Sequence, residues 1–190
     1  MQDRNKTEIL LIGGSAGSIS VLLEILPHLN NQLSFPIVIV LHRKAYREST
    51  MDTLLGFYSV LPVNEAYDKM ALQKSCIYIA PADYHLLFEN KEQIALDVSE
   101  KINYSRPSID ITFQSAAQVF KEHTTALLLS GANNDGMEGM RFIADHGGTV
   151  LVQDPNTAEF DYMPKQSIKN TDVNEVLKPK NMADFINHLA

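Results

Sequence analysis

Ile9-Leu10-Leu11-Ile12-Gly13-Gly14-Ser15-Ala16-Gly17 sets four apolar residues directly against five small ones. The apolar run predicts a buried strand over 8–12. The small residues predict a sharp turn, because they tolerate strained dihedrals and allow close approach to the main chain. Helical spacing resumes at once: Ile19, Leu22, Leu23, Ile25 and Leu26 recur on one face over 18–26, and Pro27 should end that helix. Strand, turn and helix put Ser15 at the apex, and residues 13–17 fit G-x-S-x-G, the nucleophile elbow. The first amides of the helix are unpaired and partly positive, so they can hold a developing oxyanion.

The same alternation runs outward along the chain. Residues 35–41 read as a second buried strand, whose continuous apolar character suits a parallel sheet covered on both faces. A helix is expected over 47–57 and a short edge strand over 63–67. Strand candidates follow at 75–79, 85–89 and 94–98, the last two joined as a hairpin through Asn90-Lys91-Glu92. Residues 108–122 return to helix, 124–129 to buried strand, 137–146 to helix stopped by Gly147-Gly148, and 149–153 to strand. Asn181-Met182-Ala183-Asp184 resembles a capping box for a final helix. The expectation is a doubly wound, mostly parallel α/β sheet flanked by helices in three layers, with a β-hairpin in mid-chain. Residues 1–190 are expected to form one domain.

Composition narrows the function. The chain has 190 residues, 45% of them hydrophobic, and a formal charge of -7. That charge argues against a nucleic-acid or anionic-membrane surface. No apolar run approaches the ~20 residues of a membrane span, and the polar start has no signal-peptide core; a cytoplasmic location is expected. Cys76 is the single cysteine, which excludes an internal disulfide and reads as a small buried hydrophobe in a strand. The six histidines show no metal-binding spacing, so no metal or other cofactor is expected.

Ligands of such sheets bind beyond the carboxyl ends of the strands. Ser15, His42 and Asp135 each follow a predicted parallel strand and can open onto one edge. A serine needs a base, and an imidazole base needs a carboxylate to fix its tautomer. The chain order Ser, His, Asp differs from the Ser, acid, His of α/β-hydrolases. Each residue also has a structural reading: Ser15 as a turn residue beside a phosphate-binding loop, His42 as a strand-end histidine, Asp135 as a favourable charge at a helix start. Pairing Ser15 and Asp135 with His146 or His188 is weaker, since one lies late in a helix and the other near the chain end. His28 and His123 read as helix-end residues, while His85 borders the site or packs in the core. The strongest rival is nucleotide binding, although G-x-G-x-x-G is absent; Arg43 after the second strand keeps an NADP reader open. A non-catalytic interaction domain is the third class.

Taken in order, Ile12-Gly13-Gly14-Ser15-Ala16-Gly17-Ser18, Val40-Leu41-His42, residues 78–86 (YIAPADYHL), Ser105-Arg106-Pro107-Ser108-Ile109-Asp110, residues 129–140 (LSGANNDGMEGM) and Met163-Pro164-Lys165-Gln166-Ser167-Ile168 make the chain resemble the CheB family of protein-glutamate methylesterases. The resemblance covers residues 9–177 and implies a doubly wound α/β fold. It implies Ser15 as nucleophile, His42 as base and Asp135 as the residue that orients the base. The backbone amides of Ala16 and Ala132 become oxyanion donors, and Arg106 and His85 become candidates for substrate binding. The implied substrate is a glutamate γ-methyl ester on the cytoplasmic region of transmembrane chemoreceptors, with methanol leaving; some family members also deamidate glutamines. Neither nucleic acid nor membrane insertion is implied.

Four departures stand out. Ala16 replaces a hydroxyl-bearing Thr and Ser18 a Gly, which would narrow the approach to the main chain. Ala132 and Asn133 stand where Met and Gly are common, and Arg43-Lys44 follow His42 in place of Met-Pro. Arg43, Lys44 and Arg47 are local positive charges that could meet an acidic receptor surface. Family members commonly carry a receiver domain ahead of the esterase domain. With the first strand beginning near Glu8, none is expected here, which leaves control to a separate partner.

Overall fold

Ile9, Leu10, Leu11 and Ile12 are fully buried, and they send side chains to opposite faces of one sheet. Leu10 and Ile12 join one hydrophobic cluster, Ile9 and Leu11 another. That alternation is the period of two expected of a strand covered on both sides. The computed structural model describes residues 6–43 and 50–190.

The first strand, β1, runs Ile9–Gly14, two residues further than its apolar core predicts. Helix α1 (Ser18–Ile25) follows, closed by a 3-10 turn through Pro27. Then come β2 (Ile37–Leu41), α2 (Met51–Tyr58), β3 (Val63–Glu65) and β4 (Ile77–Ile79). Pro36 has no N–H for a ladder, and β2 begins just after it. The first part of the helix expected over 47–57 lies outside the described residues. The hairpin β5 (His85–Asn90) and β6 (Gln93–Asp97) forms a separate antiparallel pair. The chain continues through α3 (Ile109–Phe120), β7 (Thr124–Leu128), α4 (Met137–Asp145) and β8 (Thr149–Gln153). It ends with α5 (Tyr162–Asn170), β9 (Glu175–Leu177) and α6 (Pro179–Asn187).

Seven strands make one sheet in the order β3-β4-β2-β1-β7-β8-β9, every pairing parallel. The first cluster joins the sheet to α1, α2 and α6; the second joins the other face to α3, α4, α5 and the hairpin. This is the expected three-layer arrangement. The chain winds one way from β1 through β2 and the other way from β7 through β9. The crevice between β1 and β7 is therefore the switch point, where a doubly wound sheet opens to ligands.

Two elements go beyond the expectations and two local expectations need correction. Helix α5 and strand β9 were not foreseen: α5 carries Pro164 in its first turn, where proline is tolerated, and β9 is a three-residue edge strand. Asn181-Met182-Ala183-Asp184 caps nothing, because α6 starts earlier, with Lys178 at the cap and Pro179 in the first turn. Cys76 is half-buried and precedes β4 rather than lying in it.

Candidate active site

Ser15, His42 and Asp135 come together at the carboxyl ends of β1, β2 and β7. Parallel pairing aligns Gly14 of β1 with Leu41 of β2, so the residue after each strand lies on the same edge. The turn that presents Ser15 is held from several sides. Its N–H donates to Ser130 O at 2.9 Å, and Gly17 adopts φ 79° with no space for a side chain. A Cβ on Gly17 would sit 2.6 Å from Glu159 Cβ and 2.8 Å from Ser130 Oγ. Ser18 is fully buried, and its hydroxyl donates to Ser15 O at 2.5 Å. It therefore tightens the turn from inside and does not narrow the approach to the main chain.

His42 Nδ1 lies 3.2 Å from Ser15 Oγ, and Nε2 lies 2.6 Å from Asp135 Oδ2. The imidazole bridges the two, 11% exposed, while the Asp135 side chain is fully buried. Asp135 is ringed by donors: Ser108 Oγ at 2.8 Å, Ile109 N at 2.7 Å and Asp110 N at 3.1 Å. Burial pushes its carboxyl up, but the bonds from His42, Asp110 and Ile109 outweigh it and hold Asp135 below the usual carboxylate range. Asp135 stays an anion, able to fix the ring and stabilise it when protonated.

Asp110 behaves in the opposite way. It is buried behind Asp135, and its Oδ1 accepts Gly136 N at 2.9 Å and Gly139 N at 2.7 Å. Burial first, and then the charge of Asp135, push its carboxyl up to about 7. Two adjacent buried carboxyls thus divide into one anion and one that holds its proton.

The open side is a cavity of about 510 Å³ lined by His42, Arg43, Asp83, Lys101, Tyr104 and the segment Ser105-Arg106-Pro107. Its far wall is a loop held from within. Arg106 Nη1 donates to Val98 O and Ser99 O, both at 2.8 Å.

The amides of Ala16 and Ala132 have no protein acceptor among the described residues, and both residues are exposed. The two segments are in contact: a Cβ on Gly131 would lie 3.0 Å from Ser15 Cβ. His85 does not reach the cavity. It is fully buried, with Ser108 N donating to Nδ1 at 3.1 Å and Nε2 donating to Glu100 O at 3.0 Å. Its position is that of a brace between two loops, which corrects its reading as a substrate contact. Arg43 turns towards the sheet edge, bonded to Glu65 Oε2 at 2.5 Å and Ala80 O at 3.1 Å, which weakens it as a reader of a 2′-phosphate. Lys44 and Arg47 lie outside the described residues. His146 stacks on Phe142, and His188 bonds the carbonyl of Asp184 within its own helix, so neither competes with His42.

The profile of the CheB methylesterase family matches residues 10–186. The chain belongs to the CheB methylesterase family. A protein of Leptospira interrogans is 38% identical over 178 residues, 94% of this chain and 92% of its own. A protein-glutamate methylesterase/protein-glutamine glutaminase of Thermotoga maritima is 36% identical over 165 residues, 85% of this chain and 48% of that protein. The crystal structure of the Thermotoga maritima CheB methylesterase catalytic domain matches with a TM-score of 0.92 at 33% identity, over 98% of this chain and 100% of that one.

Within this CheB-type site, three residues escaped the reading of the sequence as partners of the candidate residues: Ser108, Asp110 and Asn133. Ser108 announces itself as an N-cap before an apolar stripe, and its hydroxyl also reaches Asp135. Asp110 looks like an ordinary first-turn acid. Asn133 was visible only as a departure from the family pattern, and its amide nitrogen lies 3.0 Å from His42 Nδ1.

Proposed function

We propose that this chain hydrolyses glutamate γ-methyl esters on the cytoplasmic region of chemoreceptors, with Ser15 as nucleophile. The observation that carries the reading is the unbroken run of contacts from Ser15 Oγ through His42 to buried Asp135, at the edge of an open cavity. Family membership and the names of the relatives support the ester class.

In this reading Ser15 Oγ attacks the ester carbonyl carbon as His42 Nδ1 takes its proton. The amides of Ala16 and Ala132 stabilise the resulting oxyanion, each contributing about 3 kcal/mol. The bond to the methoxy group breaks, and methanol leaves with the proton from Nδ1. Water then attacks the acyl-enzyme, giving a proton to Nδ1 that returns to Ser15 as the glutamate carboxylate departs. Asp135 holds the Nε2–H and offsets the charge on the ring. The same acyl-enzyme forms from a glutamine side chain with ammonia leaving, and the second activity in the relatives' names favours that reaction as well.

The test is methanol release from a methyl-esterified receptor cytoplasmic domain, comparing the native protein with Ser15→Ala. Release by the native protein, lost in a folded variant, supports the reaction and the nucleophile together. Release that survives Ser15→Ala removes Ser15 from the chemistry. No release by either folded protein removes the ester substrate.

A further inference from the structure

Two donors converge on one nitrogen of His42. Ser15 Oγ is 3.2 Å from Nδ1 and the Asn133 side-chain nitrogen is 3.0 Å from it. The other end of the Asn133 amide fixes which atom faces the ring. The N–H of Asp135 donates to Asn133 Oδ1 at 3.1 Å, a bond only the oxygen can accept. The NH2 group is therefore turned to His42. Across the ring Nε2 faces an acceptor-only carboxylate, so the ring proton lies on Nε2 and Nδ1 carries the lone pair. A ring nitrogen of this type has one in-plane lone pair, and both Ser15 and Asn133 are directed at it.

We propose that Asn133 is a positioning residue that restrains His42 as a base, by sharing the lone pair that must take the Ser15 proton. The inference rests on the Ser15–His42–Asp135 reading and deepens it. In the resting site the hydroxyl meets a nitrogen already engaged by an amide N–H. When the proton arrives, Nδ1 becomes a donor, and two donors then face each other across about 3 Å. Asn133 cannot reverse its amide to accept that proton without taking its oxygen from Asp135 N–H. The protonated ring that forms as Ser15 attacks is thereby disfavoured. The effect falls on the chemical step and leaves substrate binding alone. Among the described residues, Asp135, Ser15 and Asn133 are the polar side chains bonded to the ring.

The experiment uses a fluorophosphonate probe, which Ser15 attacks at phosphorus with loss of fluoride, the proton passing to His42. It compares the native protein with Asn133→Ala and Asn133→Ser. Serine retains an oxygen for Asp135 N–H but is too short to reach His42. Both variants should label faster at Ser15, by about fivefold, the size of one ordinary hydrogen bond. The ¹⁵N resonance of His42 Nδ1 should move in both towards that of a free, unprotonated ring nitrogen. If Asn133 served only the turn, Ala would label more slowly and Ser would restore the native rate; that result overturns the proposal. Equal labelling in all three proteins, or an unmoved resonance, overturns it too and leaves the Ser15 reading intact. Failure of the folded native protein to label at Ser15 overturns the Ser15 reading, and this proposal with it.

Discussion

Asp110 and Asp135 exchange helix caps. The carboxylate of Asp135 accepts the first amides of α3, from Ile109 and Asp110, while the carboxyl of Asp110 accepts the first amides of α4, from Gly136 and Gly139. Each acid begins near its own helix and satisfies the other's unpaired donors. The pair locks the start of α3 to the start of α4, which are packed together. It also places two carboxyls in contact in a buried space, so their ionisation is coupled.

Asp110→Asn tests that coupling through stability. The folded protein holds the Asp110 proton up to about pH 7, whereas the unfolded chain releases it near the ordinary value of about 4. Stability from this group is therefore full below pH 4, falls as pH rises from 4 to 7, and is constant above. The total loss is at most about 4 kcal/mol. Asparagine retains an acceptor for the glycine amides and does not titrate. Thermal unfolding followed from pH 4 to 8 should show a decline in the native protein between pH 4 and 7 that is much shallower in the variant. Parallel curves would mean that Asp110 is ionised throughout.

Asp135→Asn should spare the fold and disable the base. The amide presents one acceptor to the ring of donors where the carboxylate presents two, at a cost of about 2 kcal/mol in urea unfolding. Its NH2 facing His42 Nε2 would favour the tautomer with the proton on Nδ1, where it cannot accept from Ser15. Methanol release should fall by about 10⁴-fold. A rate within tenfold of the native protein would reduce Asp135 to a cap for α3.

The layers of the fold were legible because its strands are continuous apolar runs such as Ile9 to Ile12, and its longer helices carry regular stripes. The approximate site was legible for a topological reason, since parallel strands bring the residues after them to one edge. What escaped is what periodicity does not encode. Helix α5 is polar, with proline in its first turn, and β9 is three residues at an edge. His85 could be read either as a rim residue or as a core one, and only three-dimensional packing shows it buried with both nitrogens engaged by loops. The contact of Asn133 with His42 joins residues 91 apart through an amide orientation set by Asp135, and no spacing rule reports that.

Gly17→Ala should loosen the turn that presents Ser15. Alanine at φ 79° costs about 1–2 kcal/mol in the backbone alone, and its Cβ would press on Glu159 Cβ at 2.6 Å. Gly17 follows Ser15 by two residues, so a shift of its backbone away from Glu159 is passed to the Ser15 turn and moves Oγ relative to His42 Nδ1. Urea unfolding should show a loss of about 2–3 kcal/mol in total. Methanol release under conditions where the variant remains folded should fall at least tenfold. Native stability would show that the turn accommodates the methyl group by a shift elsewhere.

Arg106→Ala should act on substrate binding before chemistry. Arg106 braces the cavity wall by bonding two successive carbonyls, Val98 O and Ser99 O, and among the described residues no hydrogen bond joins its side chain to Ser15, His42 or Asp135. Removing the guanidinium leaves both carbonyls to water and frees residues 98–105, among them Tyr104, which is 98% exposed. Each lost bond is worth about 1 kcal/mol of loop order. KM for the methylated receptor domain should rise by about five- to tenfold, while kcat stays within twofold, because an ordered wall contributes equally to substrate and transition state. Arg106→Lys should recover only part of the loss, since an ammonium is a point donor where the guanidinium spans two acceptors. A fall in kcat at constant KM would instead place Arg106 against the transition state, and full recovery by lysine would make its charge, rather than its bracing of the loop, the property that matters.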